Sequence, residues 1–351
     1  MEAQMGKVIY EEQTSTQVPS SMVIHQSDDA WHPLKDRYYI EWWYFDVVAG
    51  DGSLVRGQLF IAGDTSRPKR VMTGVRASYV KTDGTEIRVE RRLPFSSFKA
   101  STEVCDVQIG KNFIRGNLSH YEVHIEDEEN VLDLRLDSGI KGITSHACFG
   151  DESKYMYWVV PQPRCQAKGT LRTKEQTHAI EGVGYRDHNW SNIAFLDLLS
   201  YWDWGTIYDG AFTIIFADIV CTKRMGDAEI KPIMVYDLEK LIYMTSAKDK
   251  WDLAKTDIRP DPVTGVGVPH KNTLRIDDGG LSLEINLELQ RTFQRIDLLA
   301  DFNPLVRFAI RTFKAKPTIT SLFSVGSGKL SYSGQQKTMS CKAVHELVKN
   351  H

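Results

Sequence analysis

Long apolar runs are missing from this chain. The longest, AFTIIFADIV (211–220), is broken by Asp218, whereas a membrane-spanning helix needs about 20 consecutive apolar residues. Stable membrane insertion is therefore not expected. An excess of positive charge is missing too: the formal net charge is −3, and a general nucleic-acid binder needs a basic stripe to displace counterions. The beginning, MEAQMGKVIYEEQTSTQVPSS, lacks a basic start followed by an apolar run, so a secretory signal is not read there. The five cysteines (Cys105, Cys148, Cys165, Cys221, Cys341) include no CxxC pair. They read as reduced thiols of a cytoplasmic protein, with no disulfide frame and no zinc site.

Nucleotide loops are missing as well. SVGSGKL (324–330) has the ending of a phosphate loop, but Phe323 stands where the first glycine belongs and Leu330 where the magnesium-binding hydroxyl belongs. No G-x-G-x-x-G follows a strand, so no nicotinamide or flavin site is expected. HYEVH puts His120, Glu122 and His124 on one face of a strand, which is either a metal-ligand spacing or a solvated polar face. The acidic run EDEEN directly after it favours the polar face, and no metal is assigned.

What is present is β patterning. Short runs of Val, Ile, Tyr, Phe and Thr alternate with Gly/Asp turns. EWWYFDVVAGDGSLVRGQLFIAG turns at Asp51-Gly52, and VRASYVKTDGTEIRVERR turns at Asp83-Gly84. The expected class is all-β, a barrel or sandwich architecture with little helix. The best helical candidate, DLLADFNPLVRFAIRTF (297–313), is interrupted by Pro304. An echo runs through the chain: Trp43-Tyr44 precede Asp51-Gly52 as Tyr201-Trp202 precede Asp209-Gly210, and an apolar strand follows each time. The expected division is a polar tail over 1–20 and domains over 21–185 and 186–351.

Aromatics and acids cluster in the segments that carry this echo. Six of the 8 tryptophans are Trp42, Trp43, Trp158, Trp190, Trp202 and Trp204, all on strands or strand ends. Glu41 and Asp46 flank the first pair, Asp187, His188 and Asn189 precede Trp190, and Asp203 separates the last pair. Large aromatics with a few placed polar groups describe either core packing or the lining of a small-molecule pocket. Strand alternation puts Asp218 on the side of Phe212, Ile214 and Phe216. It is then either a desolvated acid able to hold its proton or a strand-end carboxylate reaching water or a backbone amide.

EWWYFDVVAGDG, GVGYRDHNWSN and SYWDWGTIYDGAFTIIFADIV together resemble the AttH/carotenoid 1,2-hydratase (hydroxyneurosporene synthase-like) family, which includes lipocalin-like Diels–Alderases. The resemblance runs from about residue 35 to the C-terminus. It implies two lipocalin-like domains, a pocket between them or at their mouth, and hydrophobic polyene, polyketide or isoprenoid substrates, without cofactor or metal. It also implies that His188, Trp190 and Asp218 occupy the positions which, in the hydratases, serve to protonate an alkene. Two positions depart from that pattern. Phe216 replaces a tyrosine, and Arg186 stands where many relatives carry histidine.

The candidate catalytic residues are His188, Asp218, Asp187 and Asn189. Glu41, Trp42, Trp43, Trp158, Trp190, Tyr201, Trp202, Trp204 and Phe216 are the candidate substrate contacts. GYRDHNWSN (184–192) is expected to form a strand-end turn carrying one pocket wall. Three functions stand open: a cofactor-independent cyclase, an acid-catalysed hydratase, isomerase or cationic cyclase, and a carrier of a hydrophobic ligand. The expected partner is a hydrophobic small molecule, and the expected assembly a monomer or weak homodimer.

Overall fold

The computed structural model describes residues 8–149, 153–297 and 317–349. The helix expected over 297–313 lies, beyond Asp297, outside them. Among the described residues the architecture is all-β, in two curled antiparallel sheets, one a barrel and one a half-barrel. The chain divides into two compact units, Val18–Ala194 and Phe195–His351, the second also taking in Met1–Gln17.

In the first unit the strands follow the order 86–94, 72–80, 54–62, 40–49, 177–191, 154–172, 131–137, 120–126, 112–116, 106–109 and 98–100. In the second the order is 14–15, 240–245, 233–237, 212–221, 199–209, 335–349, 318–332, 281–297, 267–278 and 251–260. Part of the expected polar tail is thus the edge strand Thr14–Ser15. The echo in the sequence maps onto two equivalent hairpins. Ile40–Ala49 pairs with Leu54–Ala62 and with the last long strand of its unit, as Leu199–Asp209 pairs with Phe212–Cys221 and with Gln335–Lys349. The glycines of the Asp-Gly turns, Gly52, Gly84 and Gly210, all take positive φ, the conformation that favours glycine at such turns.

GYRDHNWSN is not a turn. All of it up to Ser191 belongs to the strand Thr177–Ser191, with Asn189 opposite Trp42 on one neighbour and Trp158 on the other. Ladders on both sides satisfy its backbone, so its side chains need not hold a turn. The boundary expected at 185/186 would fall inside this strand, whereas the division observed follows Ala194. From Gly184 to Ser191 both faces of the strand are buried. That explains the dense polar cluster: buried polar side chains must find partners, and here they find them in one another and across the sheet.

Candidate functional site

Side chains alternate along a strand, so the 184–192 segment presents two groups. Arg186, His188 and Trp190 point one way, into the core of the first unit with Trp43 and Tyr39. Asp187 and Asn189 point the other way. Glu41, Trp43, His188 and Trp190 therefore come together, while Trp42, Trp158, Asp187 and Asn189 gather on the opposite face.

The inward group is an ion network. Arg186 Nη1 donates to both oxygens of Asp29 at 2.8 and 2.9 Å, Arg186 Nη2 reaches Cys105 Sγ at 3.0 Å, and the guanidinium lies 4.0 Å from the centre of the Tyr121 ring. The Tyr121 hydroxyl also donates to Asp29. His188 Nε2 lies 2.7 Å from Glu41 Oε1, and its Nδ1 faces Asp29 Oδ1 at 3.4 Å. Glu41 also accepts the His32 backbone N–H at 3.0 and 3.2 Å and the Tyr39 hydroxyl. Asp29, Glu41, Arg186 and His188 are all buried, two carboxylates against two cationic groups.

Burial alone would raise the pKa of Asp29, but the Arg186 charge and the His188 contact outweigh it and hold the carboxyl below its ordinary value. Burial would likewise raise Glu41, yet His188 and His32 bring it below its ordinary value. For His188 burial works toward the neutral form. The bonds and charges of Asp29 and Glu41 prevail and keep the ring protonated above its ordinary value of 6.5.

A stability window follows. The His188 contribution is complete below pH 6.5 and is lost as pH rises through the raised value. Those of Asp29 and Glu41 are complete above 3.8 and 4.5 and are lost as pH falls through the depressed values. Denaturant unfolding across pH should show both limbs, and His188→Gln should flatten the alkaline one. An alkaline limb unchanged in that variant would contradict a charged His188.

Above this network stands an aromatic wall. Trp190 lies between His32, at 3.7 Å and 7°, and Tyr157, at 4.5 Å and 5°. Tyr157 in turn stacks on His146 at 4.8 Å, and Trp43 stacks on His188 at 4.6 Å. The sheet register sets this row: Trp190 is opposite Tyr157, and Tyr157 opposite His146. Burial falls along it, from Trp190, which is buried, through half-buried His32 and Tyr157 to exposed His146.

On the opposite face Asp187 accepts from the Trp158 indole at 3.1 Å, the Tyr185 hydroxyl at 3.0 Å and Asn189 Nδ2 at 3.0 Å. Half-buried Trp42 shares this face.

The remaining expected residues sit in the second unit. Tyr201, Asp218 and Phe216 share the core-facing side of its sheet, and Trp202 and Trp204 lie on the other side of their strand. Asp218 is not a lone desolvated acid. It is partly exposed and bonded to Lys255 Nζ at 3.0 Å, with Lys231 at 4.0 Å. Strand patterning does not pair it with a lysine 37 positions away.

His120 and His124 pair separately, with Asp137 at 2.8 Å and Asp133 at 2.7 Å, on a half-exposed face. Donor atoms of His32, Glu41 and His188 do lie within 4.8 Å of one another. The 2.7 Å between His188 and Glu41 is, however, a hydrogen-bond length. A metal at about 2 Å from each would displace the proton they share, so this donor set fits a hydrogen-bonded relay better than a metal.

No family model matches the chain, and no curated protein matches it. Solved structures do. An AttH protein of Nitrosomonas europaea superposes with TM-score 0.63 at 13% identity, over 96% of this chain and 100% of its own. This chain has the AttH-like lipocalin fold. CghA in complex with Sch210972 shares it, with TM-score 0.64 and 12% identity over 96% of this chain and 98% of its own. So does kievitone hydratase from Nectria haematococca, with TM-score 0.60 and 14% identity over 97% and 98%. Asp29, His32, Tyr157 and Arg186 are the residues of this candidate site that strand patterning did not single out.

Proposed function

We propose that the chain is a cofactor-independent cyclase, in which the aromatic wall of the first unit folds a hydrophobic conjugated polyene for a pericyclic ring closure. The observation that carries this reading is the state of the two candidate acids. Both ring nitrogens of His188 face carboxylates, and Asp218 is ion-paired with lysine. Neither presents a proton to an alkene. A pericyclic closure needs none: it asks for a folded conformer held near its transition state and for hydrogen bonds that polarise an activating group. Half-buried His32 and Tyr157, held by the Trp190 ring stacked between them, offer the aromatic surface. Asp187 and Asn189 lie on the other face of the strand, bonded to each other, Trp158 and Tyr185, so the polar groups on the wall's own side are the Tyr157 hydroxyl and the His32 ring. The likeness to CghA, a Diels–Alderase, supports the reading. The likeness to kievitone hydratase supports a second one, hydration of an isoprenoid alkene.

Purified protein given linear polyketide or isoprenoid polyenes should yield an isomer of unchanged mass with the polyene absorbance bleached. A product heavier by one water would establish the hydratase reading instead. Binding without turnover would leave a carrier.

A further inference from the structure

The second unit carries a polar array that the proposed cyclase does not use. Asp203, His345 and Ser324 sit on three neighbouring strands, Leu199–Asp209, Gln335–Lys349 and Thr318–Tyr332. Asp203 Oδ1 lies 3.3 Å from His345 Nδ1, and Ser324 Oγ lies 3.2 Å from His345 Nε2. With Nδ1–H directed at the carboxylate, Nε2 is left to accept from the hydroxyl. This is the order of atoms by which an imidazole activates a serine. All three residues are buried.

The local structure accommodates His345 specifically. Its partner across the ladder is Gly205, where an added Cβ would come within 2.6 Å of His345 Cβ. Asp203 stays ionised: burial alone would raise its pKa, but the Lys255 charge and His345 bring it below the ordinary value. The array has a polar end and an apolar end. At the polar end Lys255 bridges Asp203 at 3.5 Å and Asp218 at 3.0 Å and reaches toward solvent. At the other end Ser324 is opposite Ala343, which belongs to the apolar core of the unit.

A second observation points to a ligand. Asn272 is the register partner of Lys255 on the core-facing side and only 2% exposed, yet neither atom of its amide has a hydrogen-bond partner among the described residues. Leaving such groups unpaired is costly, and a ligand carbonyl beside Lys255 would accept from the Asn272 Nδ2.

We propose that Ser324, His345 and Asp203 form an acyl-transfer site in the second unit, taking an ester or thioester of an apolar acyl chain. Ser324 Oγ bonds to the acyl carbon as the bond from that carbon to the leaving oxygen or sulfur breaks. The hydroxyl proton passes to His345 Nε2 and on to the leaving group. Water then attacks the acyl-serine by the same relay, releasing the carboxylic acid and restoring the hydroxyl.

The test is labelling of the full chain with an alkyl fluorophosphonate, read by peptide mass spectrometry. The expected result is a single phosphonylated serine, Ser324, with no adduct in Ser324→Ala. His345→Ala should label about a hundredfold more slowly or worse, the usual cost of a lost general base. Gly205→Ala, which crowds His345 while leaving all three groups present, should also label more slowly. Absence of a Ser324 adduct under conditions that fully label a known serine hydrolase would overturn the proposal. So would equal labelling rates in wild type and His345→Ala.

Discussion

Asp29→Ala should cost about 3–5 kcal/mol of folding stability, the penalty for leaving a buried charge without its partner. Arg186 is fully buried, and Asp29 takes both hydrogen bonds of its Nη1. The same carboxylate accepts the Tyr121 hydroxyl and faces His188, so its loss leaves two cationic groups against Glu41 alone. Urea unfolding should show a lower midpoint with an unchanged slope, since the surface exposed on unfolding stays the same. The sharper form of the test is a cycle. If the ion pair is the cause, Asp29→Leu combined with Arg186→Leu should cost clearly less than the two single variants summed, because the double variant buries no unpaired charge. Additive costs would assign the loss to packing.

Strand alternation and Asp-Gly turns make the all-β architecture legible in the sequence. Gly52, Gly84 and Gly210 take positive φ at the Asp-Gly turns, and the Trp-Tyr echo marks the opening hairpin of each unit. The site was legible only where it lies on strands. Glu41, Trp43, His188 and Trp190 converge because they occupy inward positions of paired strands. Asp29 lies in a short 3-10 helix and His32 in the loop after it. Neither segment has a period that assigns a face. Arg186 registered only as a departure from a family pattern, because its partner is 157 positions away. Alternation also shows why the tryptophans do not all meet. Adjacent residues such as Trp42 and Trp43 point to opposite faces, so a dense cluster in sequence becomes two groups in space. Asp218 illustrates the remaining limit. Alternation places its side of the strand, but the charge that accompanies it comes from a distant strand.

Proton donation is where the cyclase and hydratase readings part, and the second large effect concerns it. An essential proton donor contributes about 10²–10⁴-fold to rate, whereas an orienting hydrogen bond contributes about 1–3 kcal/mol, roughly ten- to a hundredfold. Asp218→Asn keeps shape and hydrogen bonding but removes the carboxylate. Asp218 is neutralised by Lys255 at 3.0 Å, so this variant should lose less than about tenfold in kcat. His188→Gln should lose roughly ten- to a hundredfold, because its charge fixes Glu41 and Asp29 beneath the aromatic wall without itself reaching the substrate. The loss should fall on kcat and leave the acid limb of the pH–rate profile in place, since no proton moves from this ring to substrate. In deuterated water the carbon skeleton of the product should carry no deuterium, since ring closure moves electrons between carbons and takes no hydrogen from solvent. Deuterium at a former alkene carbon, with a collapse of 10²–10⁴-fold in either variant, would show that the buried ring or the paired carboxylate does release its proton, and the chain would then be an acid catalyst of alkene hydration or isomerisation.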